Sequence, residues 1–193
     1  WFDDQETVVA LLRRTVDLAP LSTWAFERLK LTYNLGERWD ELFSLYDEVI
    51  ARTLDHATRR ELLEDAALAA KDLAADTSRA MGYFEALLAL RDDLRIRTAL
   101  ERLYERHGRH RPLIALLARQ LGGLGGEAAQ KLRARIAGLW IDGVGEPASA
   151  VAILEAMLEA EPDRVEAFEL LERVLGASMG VAGPEAAAAR LAA

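Results

Sequence analysis

Side chains that could do chemistry are few and scattered in this sequence. His107 and His110 lie on either side of Gly108 and could together bind one metal ion. A protein zinc site has at least three protein ligands, and no third ligand is evident near this pair. We therefore expect both histidines to be solvated loop residues. We assign no metal or other cofactor to the chain, and no role to the remaining histidine, His56.

A glycine-rich stretch, GGLGG at residues 122–126, is a second candidate, because glycine-rich loops bind phosphate groups. A phosphate-binding loop of this kind follows a strand and is followed by a lysine with a serine or threonine, and the sequence shows neither. A flexible connection between two helices is the better explanation.

Paired carboxylates recur along the chain, as at Asp40 and Glu41, Asp47 and Glu48, and residues 92–93. Adjacent residues on a helix do not face each other, so these pairs do not form acid–base dyads. Most lie near helix starts or on polar faces, where they favour the helix dipole or solubility. The absence of cysteine excludes thiol catalysis. The sequence predicts a protein that is not an enzyme and has no catalytic residues.

Composition excludes further classes of function. The 193 residues include 24 Lys and Arg against 32 Asp and Glu, and the net charge of −8 argues against a nucleic-acid or anionic-membrane binder. No apolar run reaches the roughly 20 residues that span a bilayer. Abundant Ala, Leu, Glu and Arg favour helices. We expect a soluble, all-helical protein. The compartment is not determined, and the cytoplasm is favoured.

The helices that position these side chains are clearest between residues 131 and 175. A first helix carries Gly138, a turn covers residues 145–147, and a second helix carries Ala150. Pro162 ends the second helix because proline lacks the N–H that the helix needs. We expect Gly138 and Ala150 to lie where the paired helices approach most closely, so larger side chains there would overpack the contact by roughly 1–3 kcal/mol.

This pattern resembles the tetratricopeptide repeat, a helical pair of about 34 residues. Gly138, Ala150 and Pro162 match the repeat in residue type, whereas Ala134, Ala137, Leu154 and Met157 are substitutes. The resemblance implies an all-α fold, a right-handed α-solenoid of antiparallel helix pairs. Stacking is required because one pair cannot cover its own apolar faces. We expect about eleven helices in one continuous superhelix.

Apolar residues at helical spacing and the intervening turns set the phase of the array. The expected buried residues include Val8, Leu11, Leu12 and Val16, then Phe26, Leu29 and Tyr33, and later Leu63, Ala66, Ala67, Ala70 and Leu73. Trp39 and Trp140 are expected to fill gaps between helices. Equivalent positions on the second helices, Phe43, Met81, Ile114 and Val151, are 38, 33 and 37 residues apart.

We interpret residues 1–193 as a single solenoid and as a fragment of a longer array. The predicted units are a partial unit at 1–21, full units at 22–56, 57–93, 94–126 and 127–162, and a partial unit at 163–193. Ser22 is the expected N-cap of the first full unit, and residues 76–78 form a capping cluster before the second helix of the next.

In tetratricopeptide repeats the first helix of each unit lines a concave groove that binds a peptide. Transferred residue by residue, this implies partner-binding positions at Trp24, Glu27, Leu31, Asn34 and Leu35 in the first full unit, at Leu62, Asp65, Ala69, Asp72 and Leu73 in the second, at Arg95, Thr98, Arg102, Glu105 and Arg106 in the third, and at Leu132, Arg135, Leu139, Asp142 and Gly143 in the fourth. The four arginines would bind a carboxylate-bearing or acidic segment, since guanidinium groups bind carboxylates through paired hydrogen bonds. The alternative is a solvated face on which they pair with Glu101 or Glu105.

The expected function is a protein–protein interaction scaffold or adaptor that binds a peptide or protein segment in this groove. An alternative is a regulatory or sensor segment of a larger protein whose catalytic part lies outside the sequence. A nucleic-acid binder that uses the basic run at residues 102–111 is disfavoured by the net charge. Self-association end to end through the apolar terminal units is a further option.

Overall fold

The computed structural model describes residues 5–19 and 22–182, and every regular element in those ranges is a helix. The ten α-helices are α1 Gln5–Leu18, α2 Thr23–Leu35, α3 Trp39–Arg52, α4 His56–Leu68, α5 Thr77–Leu90, α6 Leu94–Arg106, α7 His110–Leu121, α8 Gly126–Gly138, α9 Val151–Ala160 and α10 Val165–Ala182. The all-α prediction with about eleven helices is confirmed.

Three short segments modify these helices. A π-helical turn, Ala69–Leu73, extends α4, and a second one, Leu139–Val144, extends α8. A 3₁₀ turn, Pro147–Ala150, precedes α9. Both π-helical turns therefore lie at the ends of first helices of predicted pairs, 70 residues apart.

The chain divides into two compact units, Trp1–Leu100 and Glu101–Ala193. In the first unit, α1 packs on α2, α2 on α3, α3 on α4, and α4 on α5; in the second, α7 packs on α8, α8 on α9, and α9 on α10. The connections between paired helices are too short to return the chain in any arrangement except an antiparallel one. Antiparallel helix pairs are thus confirmed, and a continuous superhelix over both units stays a prediction.

A residue with left-handed backbone recurs in the connection between the paired helices. These residues are Glu37 with φ 51°, Ala75 with φ 52°, Gly108 with φ 61° and Gly145 with φ 73°. They are 38, 33 and 37 residues apart, the same intervals that separate Phe43, Met81, Ile114 and Val151, each six residues further along. The same backbone turn is therefore used four times, although glycine occupies it only twice.

Helical periodicity predicted most of the core. Phe26, Leu29 and Tyr33 are buried on α2, and the rings of Phe26 and Tyr46 meet edge to face with centroids 5.4 Å apart. In the second unit a core cluster joins α8, α9 and α10 through Ala137, Ala150, Leu154, Met157, Ala167, Leu170 and Val174, and Trp140 packs against it as expected.

Two expected core residues are exposed. Leu11 is 62% exposed, because the buried face of α1 passes through Val9, Leu12 and Val16 and leaves Leu11 on the outer side. Leu73 is 58% exposed. It lies in the π-helical turn of α4, whose wider hydrogen-bond spacing changes the direction of the side chains that follow.

The tight glycine contact lies elsewhere than expected. Ala150 is fully buried, but a Cβ added to Gly138 would meet no atom within 4 Å, so the expected close approach at Gly138 is wrong. The crowded glycine is Gly143, where a Cβ would lie 2.7 Å from Cγ of His110. The expectation that His110 is a solvated loop residue is wrong as well: it begins α7, half-buried against this glycine.

Carboxylate caps fix two helix starts. Asp55 accepts a hydrogen bond from the backbone N–H of Thr58 at 2.7 Å, and Asp76 accepts one from the backbone N–H of Arg79 at 3.0 Å. The capping cluster predicted at residues 76–78 is therefore confirmed. Ser22 occupies the N-cap position of α2 as expected, but its side chain makes no capping hydrogen bond.

Candidate partner-binding surface

The outer side of α2 carries an apolar strip formed by Trp24, Leu31 and Leu35. These residues are seven and four positions apart, so they share one side of the helix. Trp24 is 69% exposed, Leu31 49% and Leu35 78%, whereas Phe26 and Leu29 on the opposite side are buried. A helix that is apolar on both sides has more apolar surface than its own fold uses.

Asn34 lies beside this strip and is half-buried. Its Oδ1 atom is buried and receives no hydrogen bond from the part of the chain that the structure describes. Buried acceptors in folded proteins are almost always paired, so this oxygen is an exception within the described residues.

Asp65 of α4 holds three helices together. Its Oδ2 accepts a hydrogen bond from the Tyr46 hydroxyl at 2.7 Å and from Lys30 Nζ at 2.9 Å, and Lys30 also pairs with Glu27 at 2.9 Å. Burial lowers the pKa of Lys30, but the hydrogen bonds to Asp65 and Glu27 outweigh that effect and raise it overall. Burial, followed by the bond to Asp65, raises the pKa of Tyr46.

Asp72 lies in the π-helical turn that extends α4. Its carboxylate is exposed and pairs with Lys71 at 3.2 Å. Exposed pairs of neighbouring residues contribute little to stability, so this carboxylate remains accessible to an external cation.

The four arginines transferred from the repeat pattern fall into different environments. Arg135 on α8 is ion-paired with Glu101 at 3.3 Å and with Glu105, and Gln120 donates to Glu101 at 2.7 Å. This is the salt-bridged arrangement given above as the alternative. Part of the hydrogen-bonding capacity of the Arg135 guanidinium is therefore used by carboxylates of the same chain.

Arg102 and Arg106 lie four residues apart on one side of α6, and both are exposed. Neither forms an ion pair within residues 5–19 and 22–182. Arg95, at the start of the same helix, is also exposed, and its guanidinium comes no closer than 3.9 Å to the Asp93 carboxylate. These three arginines keep their hydrogen-bonding capacity.

A depression in the second unit has mixed charge. A depression of about 470 Å³ between α8 and α10 is lined by Lys131, Arg135 and Arg173 together with Glu166 and Glu169. Arg173 also pairs with Asp142. Gly143, transferred as a groove position, instead packs against His110. Opposite charges satisfy each other here, so this depression presents no single sign of charge.

Sequence reasoning missed Leu54, which is 91% exposed in the connection between α3 and α4. It lies at the mouth of a cleft whose walls come from three helices. The available signal was an apolar residue immediately before a capping aspartate, a position where polar residues are usual. Among the residues described, no three His, Asp or Glu side chains come together as metal ligands.

The described residues form an all-α array of antiparallel helix pairs joined by four equivalent turns, the fold that the resemblance to the tetratricopeptide repeat implied.

Comparison with known proteins assigns this chain to no family. No family model matches the sequence, and no curated protein matches it. A crystal structure of a kinesin light chain with nearly identical TPR-like repeats from Podosopora anserina is 20% identical, with a TM-score of 0.36, over 83% of this chain and 96% of that one. The structure of BtubC from P. vanneervenii is 12% identical, with a TM-score of 0.38, over 93% and 90%. The fold assignment above rests on the helices themselves. Among the described helices, none has the length and apolar character of a membrane span.

Proposed function

We propose that this protein is a non-enzymatic interaction scaffold that binds a segment of a partner protein along its first helices. In the first compact unit the contact residues are Trp24, Leu31 and Asn34, flanked by Asp65 and Asp72. In the second unit they are Arg102 and Arg106. Arg95 adds a further exposed guanidinium, and Arg135 contributes only where a partner carboxylate displaces Glu101 or Glu105.

The observation that carries the proposal is the apolar strip on α2. Covering a large apolar side chain contributes roughly 1.5–3 kcal/mol, so three of them supply a substantial part of a binding energy. Trp and aromatic anchors of this type commonly dominate protein interfaces. Asn34, half-buried beside the strip, is the polar residue next to this contact.

Arg102 and Arg106 support a partner with an acidic part. Two guanidinium groups on one side of a helix present several donors to carboxylates, and in this chain no carboxylate occupies them among the described residues. We therefore propose that an acidic stretch of the partner binds here.

Affinity capture from a lysate of the source organism tests the apolar contact. We expect proteins retained by the wild type to be lost from a Trp24→Ser/Leu31→Ser variant. A Leu11→Ser/Leu18→Ser variant is the matched control, because these two leucines of α1 are about as exposed as Trp24 and Leu31. Circular dichroism checks that helicity is equal. Retention of the same proteins by the Trp24→Ser/Leu31→Ser variant would contradict the proposal.

The acidic contact has its own variant, Arg102→Glu/Arg106→Glu. We expect this variant to bind the partner more weakly than the wild type does. Added salt should weaken the binding of the wild type and not that of the variant, because exposed attractive charge pairs are screened. Unchanged capture by this variant would remove the acidic-partner part of the proposal and leave the α2 contact standing.

A further inference from the structure

The first compact unit contains a cleft of about 700 Å³ on the edge where α3 connects to α4. Its walls are the start of α2, the end of α3 and the start of α4. The end of α3 and the α3–α4 connection contribute none of the groove positions transferred from the repeat family. The cleft contains none of the strip residues Trp24, Leu31 and Leu35, and it shares Glu27, Leu62 and Asp65 with the transferred groove positions.

The floor of this cleft is apolar. Phe26 and Val49 form it, nearly buried, with half-buried Leu62 beside them and exposed Leu54 at the mouth. The polar groups next to the floor are already paired. The Thr53 hydroxyl donates to the Val49 carbonyl at 2.7 Å, and the Asp55 carboxylate accepts both the N–H and the hydroxyl of Thr58. An occupant of the floor therefore has to be apolar.

The rim of the cleft is acidic. It carries Glu27, Asp55, Glu61 and Asp65 against one cation, Arg52. Lys30 compensates Glu27 and Asp65 in part. Glu61 is exposed and has no ion pair in the described ranges. The four carboxylates and two cations leave a net negative field over an apolar floor, which favours a positively charged occupant.

The repeat itself supplies a comparison, because α8 lies 70 residues after α4 and ends in the same π-helical turn. At the equivalent positions Leu62 corresponds to Leu132, but Glu61 corresponds to Lys131 and Asp65 to Arg135. Arg135 is held there by Glu101 and Glu105. The repeat architecture therefore accepts the opposite charge at both positions, and an acidic apolar cleft is not a requirement of the fold.

We propose that this cleft binds one apolar side chain from a positively charged segment of a partner protein. The apolar side chain fills the space above Phe26 and Val49, and flanking lysines or arginines pair with Glu61 and its neighbours on the rim. This gives the scaffold a second contact, for a basic segment, beside the strip on α2.

The test uses a capped pentapeptide with a central leucine and two lysines on each side, titrated into the ¹⁵N-labelled full chain. We expect amide shifts in the nuclear magnetic resonance spectrum at residues 22–27 and 49–65. The Glu61→Lys replacement should raise the Kd for the peptide by at least about three-fold, since a favourable charge contact becomes a repulsive one. Lys131→Glu, the mirror change in the second unit, is the control and should leave the shifts at residues 49–65 unchanged.

Three results would overturn the proposal. One is the absence of shifts at residues 49–65. Another is equal binding of a peptide in which glycine replaces the leucine, because that would show attraction between charges alone. The third is unchanged affinity of a folded Glu61→Lys variant. None of these outcomes depends on Trp24 or Leu31, so the cleft and the α2 strip are tested independently.

Discussion

Glu37 and Ala75 hold left-handed backbone at positions where the equivalent turns have Gly108 and Gly145. A side chain in this region brings its Cβ close to the following carbonyl oxygen and costs roughly 1–2 kcal/mol. The surrounding helix pairs enforce the conformation, because the turn has to join two antiparallel helices in three residues. These two residues are therefore sites of backbone strain in the folded chain.

We predict that Glu37→Gly and Ala75→Gly each raise the free energy of unfolding by about 0.5–1 kcal/mol. Relief of the strain exceeds the entropy that glycine adds to the unfolded chain. Gly145→Ala should lower it by about 1 kcal/mol through φ alone, since its Cβ would meet no atom within 4 Å. Urea denaturation followed by circular dichroism measures all three.

Gly82 provides the control for these substitutions. It lies inside α5 with ordinary backbone, and an added Cβ would meet no atom within 4 Å. Gly82→Ala should stabilise by about 0.5–1 kcal/mol for a reason unrelated to turns, namely helix propensity. Loss of stability in Glu37→Gly would show that its side chain matters more than its backbone.

At the residue level, helix period predicted which side chains face inward. Phe26, Leu29 and Tyr33 repeat at three and four residues and are buried, and Trp24 and Leu31 fall on the opposite side and are exposed. Period alone could not decide between a groove role for Arg135 and its pairing with Glu101, which the sequence offered as the alternative. That contact depends on the distance between two helices, which the sequence does not express locally.

At the level of elements, the π-helical turns explain where sequence reasoning failed. The π-helical turns follow α4 and α8, the first helices of their pairs. In each turn the side chains point in directions that differ from those of a continuing α-helix. The close contact consequently moves from Gly138 to Gly143, and Leu73 leaves the core. No residue pattern in these segments distinguishes a π-helical turn from a continuing α-helix.

The turn that extends α8 leads to a prediction about packing. Gly143→Ala should lower the free energy of unfolding by roughly 1–3 kcal/mol, because the new Cβ would lie 2.7–2.8 Å from two atoms of the His110 ring. Gly138 lies at the end of α8, and an added Cβ there would meet no atom within 4 Å. Gly138→Ala should therefore raise the free energy of unfolding by about 0.5–1 kcal/mol.

A double-mutant cycle isolates the contact between Gly143 and His110. If the clash causes the loss, Gly143→Ala should cost less in a His110→Ala background than in the wild type, since the ring is then absent. Additive losses would show that the alanine disturbs the backbone of the π-helical turn instead. Chemical denaturation of the four proteins gives the cycle directly.

The cleft beside α3 also belongs to the level of elements. Its floor and rim come from three helices. Val49 on the floor belongs to α3, whereas Glu61 on the rim belongs to α4. Transfer of groove positions from the repeat family could only assign residues on first helices. A site formed partly by a second helix and a connection required the structure.

For the whole molecule, the net charge of −8 is accompanied by ion pairs between successive repeats. Examples are Arg13 with Glu48 at 3.2 Å, Lys30 with Asp65 at 2.9 Å and Arg164 with Glu127. Exposed pairs of this type contribute little individually. The Arg164 contact also lowers the pKa of its carboxyl partner, Glu127, which favours the ionised form in the folded chain.

Four carboxyl groups show this effect clearly. The pKa is lowered for Glu41 by hydrogen bonding from Arg38, for Asp55 by the hydroxyl and N–H of Thr58, for Asp93 by the N–H of Arg95, and for Glu127 by Arg164. A lowered pKa in the folded state gives stability that is present above the unfolded pKa and is lost as pH falls through the folded value.

We therefore predict that the thermal unfolding midpoint is nearly constant from about pH 7 to pH 5 and falls below about pH 4, where carboxyl groups of the unfolded chain have begun to bind protons. Glu127→Gln supplies the control. Its stability deficit relative to the wild type should be largest at neutral pH and should shrink toward zero in acid, because both proteins then carry a neutral group at this position. A deficit that stays constant with pH would mean that the Arg164 contact does not stabilise the fold through charge. A main transition between pH 5 and 7 would contradict the assignment of the pH dependence to these carboxyl groups.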